Sequence, residues 1–439
     1  LPEHWRARDL NGASRTTKDG NMQKFVLRLI GSAALAIAMP ALADDAKPLA
    51  GQSITVLMPS PQGATIATDF EAETGIHVDL QTLSWDDIRP KLVTALVAGT
   101  APADVTEFDW SWTGQFSAAG WFLPLNDVID PDTVTDIGVA KIFTVDGKLL
   151  GVPYTNDFRV MLVNKKHFAD AGISQMPKTL DDLVAAAKKI KEKGIAQYPI
   201  GLPLSATEGA STSWYLLTKA FDGELFDKDF KPLFTSPDSA GYKALAFELM
   251  LLKEGLVDPA STGLKDSQIN ESMFGQGITS IMVSGEPGRL GQMNDPNQSK
   301  VAGQVEAILV PTESGETRSF GLPEALAIPN VSLNKEAAVA FVKWFTSKDF
   351  QKKNAANGFL PTRTSALSEL NEAGKLNSGD VLVAQSKTVE PLFPQGTPPW
   401  YPQFSSGVNT AINSAAKSQM SVDQAMEAIA SAAKQAMAQ

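Results

Sequence analysis

The sequence predicts an α/β protein of two domains with largely parallel sheets. Three observations carry this. At 439 residues the chain is too long for one compact core. The runs "ITVLM" and "ITSIMV" are continuously apolar, as central strands covered on both faces are. Strand-like and helix-like stretches alternate along the chain, which is the pattern of layered α/β folds.

Taken in order, the first element is a segment to set aside. Residues 1–21 precede Met22 and read as an upstream segment. From Met22 the chain runs "MQKFVLRLIGSAALAIAMPALADD", with Lys24 and Arg28 as a positive start. A short apolar run follows, then Ala41-Leu42-Ala43 with the small residues a signal peptidase needs. Residues 22–43 are therefore expected to be a secretory signal, too short to span a membrane, with cleavage after Ala43. "GIHVDLQTL" then alternates Ile76, Val78 and Leu80 with polar residues, a strand of period 2. In "TLDDLVAAAKKIKEKG", Thr179 can cap a helix, Asp182 sits in its first turn and Gly194 can end it. "SVDQAMEAIASAAKQAMA" opens with a capping box, Ser421 to Gln424, and predicts a closing helix. Pro and Gly cluster in "PLFPQGTPPWYP", a structured loop that holds Trp400.

Composition excludes several functions. The net charge is −11, with no basic patch interleaved with aromatics, which argues against nucleic acid as partner. There is no cysteine, so no disulfide and no thiol nucleophile. GxSxG, P-loop and HExxH signatures are missing, and no metal or cofactor is expected.

One stretch stands out. "GVPYTNDFRVMLVNKK" ends as a buried strand, but Tyr154, Asn156, Asp157 and Arg159 put polar groups at the mouth of that apolar run. Either they face a solute, or Asp157 and Arg159 pair with each other and brace a hinge.

Four longer stretches decide how that cluster is read. They are "LVTALVAGTAPADVTEFDWSWTGQFSAAGWFLPL", "DGKLLGVPYTNDFRVMLVNKKHFADAGI", "ESMFGQGITSIMVSGEPG" and "LAIPNVSLNKEAAVAFVKWFTSKDFQKKNAANGFLPTR". Their order and spacing resemble the family 1 extracellular solute-binding proteins, the sugar-binding subunits of ABC importers. The resemblance implies a periplasmic, monomeric, non-enzymatic binder with two α/β lobes and a ligand cleft between them. It implies a carbohydrate ligand and a membrane permease as partners. It divides the chain into 44–156 with 308–347 as one lobe and 157–307 with 348–439 as the other, crossing near Asn156–Arg159, Glu306–Val310 and Phe345–Ser347.

A sugar needs donors and acceptors for its hydroxyls and ring faces for its C–H surfaces; a polar group left unpaired costs about 1–3 kcal/mol. Such groups gather where strands end in open α/β sheets. By resemblance the first lobe offers Gln62, Trp85, Asp109 and Trp110, and the crossing offers Tyr154, Asn156, Asp157 and Arg159. Glu208, Gly285, Glu286, Pro287 and Trp400 come from the second lobe, and Gly321, Leu322 and Glu324 from the return. Pro287, Arg289, Ser405 and Ser406 stand where family members that bind long maltodextrins carry aromatic rings. A mono- or disaccharide, a glycoside or a polyol is the expected ligand. A polyamine, which would suit the acidic chain, and an exported carbohydrate-active enzyme are the alternatives.

Overall fold

The structure, a computed structural model, describes residues 47–59 and 65–438, without the side chains of Trp85 and Asp86. The expected leader, Gln62 and the side chain of Trp85 lie outside the described residues.

The first half of the chain supplies β1 (Ser53–Met58), α1 (Ile66–Thr74), β2 (His77–Thr82), α2 (Trp85–Val97), β3 (Val105–Asp109) and β4 (Val152–Thr155). Then follow β5 (Val160–Asn164), α3 (Leu180–Glu192), β6 (Ile200–Gly201), α4 (Glu208–Ala220), β7 (Ile281–Gly285) and β8 (Val305–Ile308). The last part adds β9 (Glu324–Ala327), α5 (Lys335–Phe345), α6 (Tyr401–Ala416) and α7 (Val422–Met437). One sheet has the order β2-β1-β3-β9-β4, the other β8-β5-β7-β6.

The apolar runs behave as expected. Val56, Leu57 and Met58 of β1 are fully buried between β2 and β3, with Val56 opposite both Leu80 and Val105. The capping boxes also form: Thr179 and Asp182 start α3, and Ser421 and Gln424 start α7. Such caps each stabilise a helix by about 1 kcal/mol. In the first lobe Phe70 of α1 meets Phe341 and Trp344 of α5 at 5.1 and 5.2 Å between ring centroids. Trp344 is thereby a packing residue, its indole N–H donating to Glu73 at 2.8 Å. In the second lobe α4 is buried nearly all round, with Trp214 donating to the Gly241 carbonyl at 2.8 Å. Its buried residues include Ser211, Thr218 and Lys219, and burying such groups is costly unless they have partners: the Thr218 hydroxyl donates to the Trp214 carbonyl and Lys219 pairs with Glu224 and Glu390.

The sheets are less parallel than the sequence suggested. β1, β2 and β3 are parallel, as are β6 and β7. β9 runs antiparallel to both β3 and β4, and β5 antiparallel to both β7 and β8. The reason is connectivity. β3 and β7 run toward the space between the sheets, whereas β5 and β9 start there and run away from it. Glu324, the first residue of β9, therefore sits opposite Asp109, the last of β3. Val160, the first of β5, sits opposite Gly285, the last of β7.

The passages between sheets lie side by side. Phe158 bridges to Gly321, the Leu322 N–H donates to the Asp157 carbonyl at 2.7 Å, and Phe320 pairs with Glu390. The return to the first sheet occupies 309–323, later than Glu306–Val310, because Val305–Ile308 is still a strand of the second sheet. Beyond α5 the chain stays near the first sheet: Lys353 pairs with Asp69, the Thr362 hydroxyl donates to the Pro153 carbonyl, and Arg363 binds Asp136. Leu367 and Leu382 then pack with Val160 and Leu162.

Candidate functional site

Strand ends from both sheets converge on a cavity of about 680 Å³. β3 contributes Asp109, whose carboxylate accepts from the backbone N–H and the hydroxyl of Ser111. That cap turns the chain into the short 3₁₀ helix Trp110–Trp112. Asp109, Trp110, Ser111 and Trp112 all line the cavity. Burial is the main force on the Asp109 carboxyl and pushes it up to about 7; the Ser111 hydrogen bonds oppose this, and the charges of Glu208 and Asp157 add to it.

Beneath this wall lies Tyr154 of β4, fully enclosed. Its hydroxyl is 2.7 Å from Glu107 Oε2 and 2.6 Å from Glu324 Oε2. Glu324 lines the cavity and Glu107 does not. Burial drives both carboxyls up, Glu324 to about 8, with neighbouring carboxylates adding to the effect.

At the crossing, Arg159 Nη1 donates to both oxygens of Asp157, at 2.7 and 2.9 Å. Arg159 Nη2 stands 3.9 Å from Glu286, and Arg289 Nε donates to Glu286 at 2.7 Å. The two readings of the crossing cluster therefore combine: Asp157 and Arg159 pair, and both line the cavity. Burial raises Asp157 to about 6 even against the nearby Arg159 charge. Burial works against the Arg159 charge, yet Asp157 and Glu286 hold the guanidinium above its ordinary value. Arg159 Nε is enclosed and has no partner among the described residues.

The second lobe closes the other side. Glu208 is the first residue of α4, and its carboxylate accepts from Tyr401 Oη at 2.5 Å and Ser405 Oγ at 2.8 Å. Ser405 in turn accepts from Tyr215 at 2.9 Å. Burial is again the largest cause of a raised Glu208, opposed by those hydroxyls. Asp266 takes a bond from the Thr207 hydroxyl at 3.3 Å and is raised by burial. The Trp110 and Tyr401 rings stand 4.8 Å apart. Near them, a side chain at Gly114 would strike the Thr397 carbonyl, so the Pro-rich loop lies directly on the helix that follows Trp112.

Of the residues expected from the sequence, Asp109, Trp110, Asp157, Arg159, Glu208, Glu286, Leu322 and Glu324 line this cavity. Asn156 faces an adjoining cavity of about 730 Å³ that shares Asp157, Glu286, Arg289 and Glu324. Tyr154 acts from below through its two glutamates. Gly285, Pro287 and Gly321 are buried and lie outside the lining; at Gly285 an added carbon would meet Leu162 at 2.6 Å, so its smallness serves sheet packing. Trp400 is also outside the lining: it packs against Phe226, Phe230, Phe393 and Phe404 and staples the Pro-rich loop. Sequence reasoning missed Arg89, Thr212, Asp266, Asn270, Ser284 and Tyr401 as lining residues. Tyr401 had a signal, since it adjoins Trp400 at a helix start; Asp266 and Asn270 had none.

Two α/β lobes with a polar and aromatic cavity at their strand ends define a protein built to enclose a small solute. Residues 59–352 match the model of the bacterial extracellular solute-binding proteins, and the chain belongs to that family. It is 28% identical over 351 residues to a protein of Sinorhizobium fredii named "Probable amino-acid ABC transporter periplasmic-binding protein", covering 76% of this chain and 78% of that one. It is 27% identical over 399 residues to the diacetylchitobiose binding protein of Streptomyces coelicolor, covering 85% and 90%. Among solved structures, the Thermotoga lettingae solute-binding protein with bound α-D-tagatose superposes with a TM-score of 0.77 at 25% identity, covering 88% of this chain and all of that one.

Proposed function

We propose that this chain is the periplasmic receptor of an ABC importer. It captures a sugar or polyol between its lobes and presents the closed form to a membrane permease, as a monomer and without chemistry on the solute. One observation carries the reading. The cavity sets carboxylates, hydroxyls and amides beside the rings of Trp110, Trp112 and Tyr401, which is what an array of hydroxyls on a C–H framework requires. The diacetylchitobiose-binding relative and the tagatose-bound neighbour support it. We take 22–43 as a signal removed on export. We take 44–156 with the stretch from 309 to beyond Arg363 as the first lobe and 157–308 with the rest of the C-terminal part as the second, moving the last boundary past 347 because of the bonds of Lys353, Thr362 and Arg363.

A thermal-shift screen of the purified protein against sugars, polyols, polyamines and amino acids tests this. A ligand at 100 times its dissociation constant adds about 2.7 kcal/mol of stability, which raises the melting temperature measurably. The reading expects hits among sugars or polyols. Hits confined to amino acids, the class named for the Sinorhizobium relative, would overturn it.

A further inference from the structure

The carboxylates around the cavity are not alike in company. Asp157 and Glu286 have guanidinium partners in Arg159 and Arg289. Asp109, Glu208, Asp266 and Glu324 have none: among the described residues none of the four forms an ion pair, and each is held only by hydroxyls or a backbone N–H. Asp109 and Glu208 are the two beside the aromatic rings, Asp109 preceding Trp110 and Glu208 accepting from Tyr401. Arg89 also lines the cavity, but its guanidinium is tied to Gln115 at 2.6 Å and pairs with neither acid. Asp109 stands on the first sheet and Glu208 on the second lobe, and Glu208's charge is among the causes that raise Asp109. Two such groups facing one cavity repel as anions. A proton or a bound cation must settle them.

Two further features occupy the same cavity. Trp110 and Tyr401 are 5% and 2% exposed, and the face of an aromatic ring attracts a cation. Asn270, 5% exposed, lines the cavity with a side-chain amide that has no hydrogen-bond partner among the described residues; Thr212, 4% exposed, presents a hydroxyl in the same condition. An unpaired amide and hydroxyl, shut in but open to the cavity, are waiting for polar atoms of a solute.

Resting on the sugar or polyol reading of this cavity, we propose that the solute is a polyhydroxylated molecule carrying one protonated nitrogen. It is an amino sugar or amino polyol, with its ammonium between Asp109 and Glu208 and against the rings of Trp110 and Tyr401. Its hydroxyls meet Asn270, Thr212 and the paired charges of Asp157 and Arg159. One ammonium fits better than two, because Arg159 and Arg289 stand among the lining residues and would repel a second. That separates this solute from a polyamine.

The test uses matched pairs that differ only in the nitrogen: D-glucose against D-glucosamine, and D-sorbitol against D-glucamine, each titrated calorimetrically into the protein near neutral pH, with spermidine alongside. The amino member should bind roughly tenfold tighter or more than its neutral parent, the span of a charge-assisted contact. Glu208→Gln and Asp109→Asn, both confirmed folded by thermal melts, should erase that preference, read within each variant as the ratio of amine to parent affinity. A neutral parent that binds as tightly as its amine overturns the inference and leaves the sugar reading standing. An amine preference that survives both substitutions overturns the placement of the ammonium. Spermidine binding in the absence of any polyhydroxylated ligand, or silence from both series, overturns the inference and the reading beneath it together.

Discussion

Asp109 and Asp157 are both half-buried aspartates in segments that end or begin a strand, and both line the same cavity. They are settled in opposite ways. Asp157 has Arg159 on both its oxygens and lies at about 6; Asp109 has only Ser111 and lies at about 7. The difference shows that the cavity has a prepaid end and an open end. At the crossing, the protein neutralises its own charges and so fixes the passage between the lobes. At the β3 turn it leaves a carboxyl for which burial favours the proton.

The largest effect comes from breaking the paired end. Arg159 is 10% exposed in its side chain, and its loss strands Asp157 without a cation and leaves Glu286 with Arg289 alone. Arg159→Ala should cost about 3–5 kcal/mol of stability, the range for a buried pair that loses one partner. Urea denaturation of variant and parent measures this. A loss within the noise would mean that the crossing is not held by its charges.

Next in size is the affinity carried by Asp157 itself. If its carboxylate serves ligand hydroxyls as well as Arg159, Asp157→Ala weakens binding by roughly 1.5–3 kcal/mol. Titration calorimetry on the folded fraction, with a ligand found by the screen, separates this from bracing. Unchanged affinity with a lowered melting temperature would leave Asp157 a hinge residue only.

The smallest effect sharpens the open end. Asp109 has an ordinary value of 3.8 and lies at about 7 in the folded chain. Between these values the folded state keeps a proton that the unfolded state has released. Its contribution to stability is therefore lost as pH rises through that window. Asp109→Asn should flatten this slope, so denaturation midpoints of variant and parent should diverge as the pH is raised from about 4 to about 7. Parallel profiles would show that Asp109 ionises as freely as it would in water.

How much of this was legible in the sequence depends on the range of the cause. Local causes were readable. The capping boxes at Thr179 and Ser421, the apolar run of β1 and the alternation of β2 depend on neighbours in sequence, and all formed. Asp109 and Trp110 were expected at the site by resemblance, and both line the cavity. Strand direction was not readable for β5 and β9, since it is set by where the chain re-enters a sheet. Asp266 and Asn270 were invisible for a related reason: they become lining residues only when loops far apart in sequence converge. Trp400 misled because a tryptophan in a Pro-rich loop looks the same whether it covers a cleft or fills a cluster of phenylalanines. The lining of the cavity by Glu208 was expected from resemblance, but its support by Tyr401 and Ser405 spans nearly two hundred residues and leaves no local trace.

Tyr154 has one hydroxyl hydrogen, yet that hydroxyl lies within hydrogen-bond reach of two carboxyls. It can donate to only one, so the other contact needs a hydrogen from Glu107 or Glu324. The receptor thus carries a proton as a fixed part of its interior, one wall away from its solute. Any solute that redraws the sharing at Glu324 exchanges hydrogen ions with the medium as it docks. The heat of docking then depends on which buffer absorbs or supplies them, and the apparent affinity becomes a joint property of cleft and surroundings.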